Sequence, residues 1–396
     1  MKNIIFVLPA GSLPVPAING GAIETLVNML VDENEKSNEF MFHLIMCKKV
    51  GDTTVYNYDK YKNTKFYDFY MSPFDYKMNR LMNAGNKRLN YSLPLYSPFD
   101  KFVSRKVKEI KPDFVVYEGS YTSALRLLKK QVGREKLAYH VHHQIIHKID
   151  ISKFFSKIIC VSEFIRKDWV DNFKCKNSID FEVLPNTVDE ENFGRTITKK
   201  ERKEIRESLG FTDKDYVVIF VGRLIKEKGI EELITAIKNI ENKNIKLLIL
   251  GESLFKNSNK TPFTEHLCEI SKGLEDRIKF TGFIGNDVVY KYYASSDLHV
   301  APSTCEEAAA LVVIESKMVG LPQVVTNSGG LPEFVRSDAT ILVKESPDFI
   351  QNLSNAIEER SKIPTILKPE KNEKFKKSSY YQNFSKMLNS FTDVKK

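Results

Sequence analysis

The chain has 396 residues, 42% of them hydrophobic and 28% charged, with a formal net charge of +9. That is too long for one ordinary hydrophobic core and argues for two globular domains rather than a disordered chain. Its five cysteines (Cys47, Cys160, Cys175, Cys268, Cys305) are odd in number, far apart and without C-x-x-C spacing, which argues against a disulfide framework or a zinc knuckle and fits a reducing cytoplasm.

The first apolar run, residues 4–10, is too short for a signal-peptide core and reads as a buried strand. Further short apolar runs at 41–47, 114–117, 137–142, 157–161 and 181–184 predict a first series of strands. A second series is predicted at 217–221, 246–250, 278–280, 298–301 and 323–326. Helix-length segments separate them, the pattern of parallel sheets covered by helices, so the fold class is α/β. Residues 192–215 are polar and read as an interdomain linker leading into a helix at 199–207. Domains are expected at 1–191 and 192–375, with a C-terminal helix at 376–396 packing back on the first. No run approaches the roughly 18 to 20 consecutive apolar residues of a membrane-spanning helix.

Candidate functional residues fall at the predicted strand ends. Gly20 and Gly21 follow the first strand and allow the backbone to turn sharply towards a ligand. Between Met71 and Lys111, nine Lys or Arg stand against Asp75, Asp100 and Glu109, interleaved with aromatic and aliphatic residues, a mixture suited to an anionic lipid surface or a lipid-phosphate acceptor. His140, His142 and His143 end a strand at the carboxyl edge where doubly wound sheets bind ligands. Adjacent strand residues face opposite ways, and no carboxylate or cysteine is near in sequence, so no metal site is expected there. Asp213-Lys214-Asp215 reads as a turn. Gly222, Arg223 and Lys228 follow the first strand of the second half, where a glycine admits a ligand and two cations can clamp a diphosphate. Last comes the run from Pro302 to Glu315, with Glu307 ahead of a helix starting near Leu311 and Glu315 inside it, trailed by Gly320-Leu321-Pro322 and Gly329-Gly330-Leu331-Pro332-Glu333. Backbone amides at such a helix start bind anions.

This E-x7-E element, with its trailing G-x-P and G-G-x-x-E, resembles glycosyltransferase family 4. The G-R and K-G pair at Gly222-Arg223 and Lys228-Gly229 resembles the same family, as does the place of the Gly20-Gly21 loop. The resemblance covers about residues 2–336. It implies a GT-B fold of two Rossmann-like doubly wound domains facing a central cleft, the first binding the acceptor and the second the nucleotide sugar. It implies a metal-independent, retaining glycosyltransferase with no cofactor, a UDP-sugar as the default donor, and a glycan or lipid-linked acceptor in bacterial surface-polysaccharide synthesis. By resemblance, Glu307 holds donor-sugar hydroxyls, Glu315 the ribose diol, Arg223 and Lys228 the diphosphate, and the backbone near Phe283 the base. Gly20, Gly21, Gly222, Ala310, Leu311 and Val312 join the donor-binding set. His142, with His140 as its alternative, stands near the reacting carbon. Where the family has glycine and a bulky aromatic after the first glutamate, this chain has Ala308-Ala309-Ala310. A sugar-nucleotide epimerase, a phosphorylase and a non-catalytic nucleotide-sugar-binding subunit are the alternatives. No G-x-G-x-x-G follows the first strand, which argues against a nicotinamide dehydrogenase, and no nucleic-acid-binding motif is present. The expected location is cytoplasmic, with peripheral membrane contact through residues 71–111.

Overall fold

In strands such as Lys2–Val7 and Ile245–Leu250 the residues from Ile4 and from Leu247 onward form unbroken apolar, buried runs with no polar face to give to water. Parallel sheets covered on both faces are the arrangement that accommodates such runs. The computed structural model describes residues 1–18, 20–52, 54–88, 96–119, 124–145, 151–172, 179–251, 261–370 and 373–392. It divides into two units, residues 1–185 with 377–396, and residues 186–376.

The first unit holds a seven-stranded parallel sheet of β1 (Lys2–Val7), β2 (Phe40–Lys49), β3 (Thr64–Met71), β4 (Phe114–Glu118), β5 (Leu137–Val141), β6 (Lys157–Cys160) and β7 (Asp180–Val183). Their order is β3-β2-β1-β4-β5-β6-β7. The helices are α1 (Ala22–Ser37), α2 (Pro73–Arg88), α3 (Pro98–Ile110), α4 (Leu125–Val132) and α5 (Glu163–Asn172). β5 stops at Val141, so His142 lies just beyond the strand rather than at its end.

The second unit contains α6 (Glu190–Phe193), α7 (Lys199–Ser208), β8 (Tyr216–Val221), α8 (Ile230–Asn239), β9 (Ile245–Leu250), α9 (Pro262–Ile270), β10 (Ile278–Gly282), α10 (Val289–Ser295), β11 (Leu298–Ala301), α11 (Leu311–Val319), β12 (Gln323–Thr326), β13 (Thr340–Leu342) and α12 (Phe349–Ser361). Its parallel sheet runs β10-β9-β8-β11-β12-β13. Side chains of β8 alternate between two cores: Val217 and Ile219 join one with Val313 and Ile314, while Val218 and Phe220 join the other with Leu233 and Leu353. A capping box of Thr198 and Glu201 starts α7. Arg202 and Arg206, one turn apart on that helix, both grip Asp297 at 2.7 and 2.6 Å, and Asp297 also accepts the Val217 N–H at 2.7 Å.

The expected boundary at 191/192 and the reading of 192 onward as linker are corrected. The division falls at Pro185/Asn186, because Val188 and Phe193 are buried in the second unit's core and the Asn192 amide donates to the Asn286 carbonyl at 2.6 Å. Asp215 accepts the Thr212 N–H at 2.6 Å and its hydroxyl at 2.9 Å, which closes the turn at 212–215.

The last helix, α13 (Lys377–Thr392), belongs to the first unit. Phe384 stacks on Phe6 with ring centres 5.7 Å apart, and the Tyr381 hydroxyl donates to Asn34 at 2.9 Å. Ser385 and Asn389 both donate to Glu39, at 2.7 and 2.8 Å. No helix among the described residues is long and apolar enough to cross a membrane.

Candidate functional site

In each sheet the chain order reverses beside the first strand, between β1 and β4 and between β8 and β11. Loops leaving those pairs diverge and open a crevice at the carboxyl edge, the usual ligand position in doubly wound folds. Most candidate residues of each unit gather at its own reversal point, while Phe283 follows the edge strand β10.

In the second unit the edge is built backbone on backbone. The Gly222 N–H donates to the Leu250 carbonyl at 3.0 Å and that of Gly251 to the Gly282 carbonyl at 2.9 Å. A Cβ on Gly251 would lie 1.8 Å from the Gly222 oxygen. Phe283 follows, partly buried. Arg223 is exposed, and among the described residues its guanidinium has no hydrogen bond or ion pair, so its donors are open to a ligand.

The loop after β8 is tied to the loop after β11. Gly229 has φ +70, and a Cβ there would lie 1.9 Å from the Pro302 carbonyl oxygen. The Thr304 N–H donates to the Glu227 carbonyl at 3.0 Å. This approach delivers the Lys228 ammonium to Glu307 Oε1 at 2.6 Å, and the Ser303 hydroxyl donates to the same oxygen at 2.5 Å. Gly330 N–H fixes the Glu307 backbone by donating to its carbonyl at 2.7 Å, which gives the Gly-Gly segment a structural task. The neighbouring Glu306 goes elsewhere, pairing with Lys344 at 2.5 Å.

Helix α11 begins at Leu311 after Ala310, which offers no side-chain cap. Leu311 and Val312 are partly exposed and lead with backbone donors that suit an anion. Glu315 sits in the same helix and accepts from the Tyr293 hydroxyl at 2.9 Å. Burial pushes its carboxyl up to about 7, against the lowering effect of Tyr293. Between the ordinary value of 4.5 and about 7 the folded chain therefore holds a proton the unfolded chain has released. Through this group stability falls as pH rises across that window and levels off above it. Denaturant unfolding of wild type and Glu315→Gln from pH 4.5 to 8 checks this: the variant loses that part of the slope.

In the first unit, Gly20 (φ +81) and Gly21 (φ +97) take left-handed backbone before α1, which favours glycine. The carboxylate of Glu24 is buried beside Gly21 and accepts the Leu13 N–H at 2.8 Å, bracing the loop after β1. Burial raises its pKa.

The three histidines have separate fates. His143 Nε2 lies 2.9 Å from the Gly119 carbonyl oxygen, and the His143 carbonyl accepts from Trp169 at 3.0 Å, a bracing role. His140 and His142 share a face with Glu118, a fully buried residue at the end of β4 that pattern reading did not single out. Glu118 Oε2 is 3.0 Å from both His140 Nδ1 and His142 Nε2. No carboxylate is near in sequence, but the neighbouring strand supplies one, and ligand atoms of the three residues lie within 4.8 Å of one another, a spacing that can hold a cation, which corrects the expectation drawn from sequence distance. Burial alone would raise Glu118, but the two histidines outweigh it and bring the carboxyl down to about 2. Burial, reinforced by His140, pushes His142 down to about 4 despite Glu118. At neutral pH this is a carboxylate beside an uncharged imidazole.

Of the stretch 71–111, residues 89–95 lie outside the described ones. On α2, Phe74, Tyr76 and Leu81 are exposed together with Lys77 and Arg80.

A family model described as "Glycosyl transferases group 1" matches residues 201–382. An uncharacterized glycosyltransferase of Methanocaldococcus jannaschii is 30% identical over 225 residues, 56% of each chain. The lipopolysaccharide 1,2-N-acetylglucosaminetransferase of Salmonella typhimurium is 23% identical over an alignment covering 99% of this chain and 100% of that protein. Among solved structures, the Anabaena protein HepE in complex with UDP-glucose superposes with a TM-score of 0.72 at 19% identity, covering 98% of this chain and 100% of that one. The two parallel sheets, their order and this likeness establish the fold as GT-B, and residues 201–382 match the family model of the glycosyl transferases group 1.

Proposed function

We propose that the protein is a retaining, metal-independent glycosyltransferase that moves a sugar from a nucleotide diphosphate sugar, a UDP-sugar by default, to a glycan or lipid-linked acceptor in bacterial surface-polysaccharide synthesis. The observation that carries this reading is the clamp at the β8/β11 reversal, where Lys228 and Ser303 orient Glu307 beside the uncapped start of α11.

One N–H of the Lys228 ammonium goes to Glu307, leaving two for a phosphate oxygen. With Arg223 and the amides of Leu311 and Val312, it stabilises the charge that builds on the departing diphosphate. Glu307 accepts from hydroxyls of the donor sugar, and Glu315, with Tyr293 already donating to it, accepts from the ribose diol. Phe283 and the glycine-lined strand ends at Gly222 and Gly251 give the base and phosphates close approach to backbone. Attack by the acceptor on the face from which the diphosphate leaves preserves the anomeric configuration. Gly20, Gly21 and His142 lie at the first unit's own ligand-binding edge, which takes the acceptor. The exposed apolar and basic face of α2 supports a lipid-linked acceptor and peripheral contact with the inner face of the membrane. The Anabaena structure with UDP-glucose and the Salmonella relative's name support the choice of donor class and acceptor class.

Thermal unfolding with UDP-glucose, UDP-galactose, UDP-N-acetylglucosamine and GDP-mannose, each with and without chelator, tests the donor. A ligand at a hundred times its dissociation constant adds about 2.7 kcal/mol. One nucleotide sugar is expected to stabilise the chain equally in both conditions. A shift abolished by chelator would refute metal independence, and no shift with any ligand would refute the donor site.

A further inference from the structure

We propose that Glu118 is the positioning residue for His142, holding its ring as the Nε2–H tautomer so that Nδ1 is left as a hydrogen-bond acceptor for a substrate hydroxyl. This rests on the reading of the first unit as the part that binds the acceptor. The carboxylate is wholly buried at the end of β4, and an ionised carboxylate only accepts hydrogen bonds. His142 Nε2, 3.0 Å from Oε2, must therefore carry the proton. Among the described residues Nδ1 has no hydrogen-bond partner.

The ring is also held on its faces. His140 lies against it with ring centres 4.3 Å apart, and Gly119 passes beside it with φ +67, where a Cβ would touch His142 Cδ2 at 3.7 Å and collide with Ile23 Cδ1 at 2.5 Å. His140 Nδ1 is equally close to Oε2 but is not aligned for a hydrogen bond, and both its ring nitrogens are buried without one. Glu118 thus spends its one aligned contact on His142, while Oε1 is buried without a partner. A buried carboxylate with so few partners is costly to keep in a purely structural role, which points to orientation of the imidazole as its purpose.

The consequence is a tautomer that can be read directly. Long-range nitrogen–proton NMR of histidine-labelled protein, assigned with His142→Gln, is expected to show His142 protonated at Nε2 and bare at Nδ1. In Glu118→Gln the amide can donate to Nε2 and favours the opposite tautomer. That variant is expected to lose at least tenfold in kcat for release of the nucleoside diphosphate as the sugar passes to an acceptor hydroxyl or to water, with the nucleotide sugar that stabilises the protein most as donor and its KM unchanged, and Glu118→Asp is expected to recover part of the loss. A wild-type His142 protonated at Nδ1, or unaltered kcat in folded Glu118→Gln, overturns the assignment. So does a stoichiometric divalent ion in the purified protein whose removal shifts the histidine signals. If Glu118→Gln fails to fold, the wild-type spectrum decides alone. Absence of nucleotide-sugar binding by the wild type would instead sink the transferase reading, whatever the tautomer.

Discussion

Substituting glutamine for Glu307 is expected to lower kcat/KM for sugar transfer by about 10- to 100-fold while leaving the melting temperature close to wild type. The carboxylate takes both the Lys228 ammonium and the Ser303 hydroxyl on one oxygen, which fixes the other oxygen for the substrate. Glutamine keeps the shape but removes the charge, and hydrogen bonds to charged groups contribute about 1.5–3 kcal/mol. Lys228 is then released to solvent at the moment it should face a diphosphate. Steady-state transfer assays with the donor found by thermal shift supply the measurement. A folded variant with wild-type kcat/KM would remove Glu307 from the site.

Gly229→Ala is expected to have the largest effect on stability. A side chain at φ +70 is strained by about 1–2 kcal/mol, and its Cβ would overlap the Pro302 carbonyl oxygen, a backbone atom with little freedom to move. The combined loss is about 3 kcal/mol or more. It falls on the contact that brings Lys228 to Glu307, so donor binding should weaken as well. Gly273→Ala is the control, since its φ is +77 but nothing lies within 4 Å of the added Cβ. It should cost only the conformational part. Denaturant unfolding of both variants separates strain from collision, and equal losses would show that the Pro302 approach is unimportant.

Much of the fold was legible because its inner strands are buried on both faces and read as unbroken apolar runs. The two strands that the apolar pattern does not reveal, β3 and β13, are sheet edges. β3 carries Lys65 and Asp68 among its aromatics, and β13 has only three residues, Thr340–Leu342. An edge strand lacks one neighbour, so polar residues interrupt its pattern. Composition does not mark the domain boundary at Asn186 because Asn186–Gly194 is polar, yet Val188 and Phe193 anchor it in the second unit's core.

The candidate site divides the same way. Glu307, Ala310, Leu311, Val312 and Glu315 lie on one loop and one helix, so spacing alone suffices to group them. Glu118 could not be grouped with His140 and His142 from spacing, because the parallel register of β4 and β5 sets Glu118 opposite His140 across 22 positions of chain. The ending Tyr117-Glu118-Gly119, a carboxylate closing an apolar strand before a glycine, was the local signal available. Ser303 and Tyr293 likewise become relevant only through the carboxylates they contact.

The central claim is that the β8/β11 reversal of the second unit binds a nucleotide sugar, and amide hydrogen exchange with and without UDP-glucose tests it most directly. The expected result is protection of residues 222–229 and 303–315, with less protection in Arg223→Ala. Unchanged exchange in those segments under conditions where the ligand is bound, or protection confined to other parts of the chain, would contradict the account.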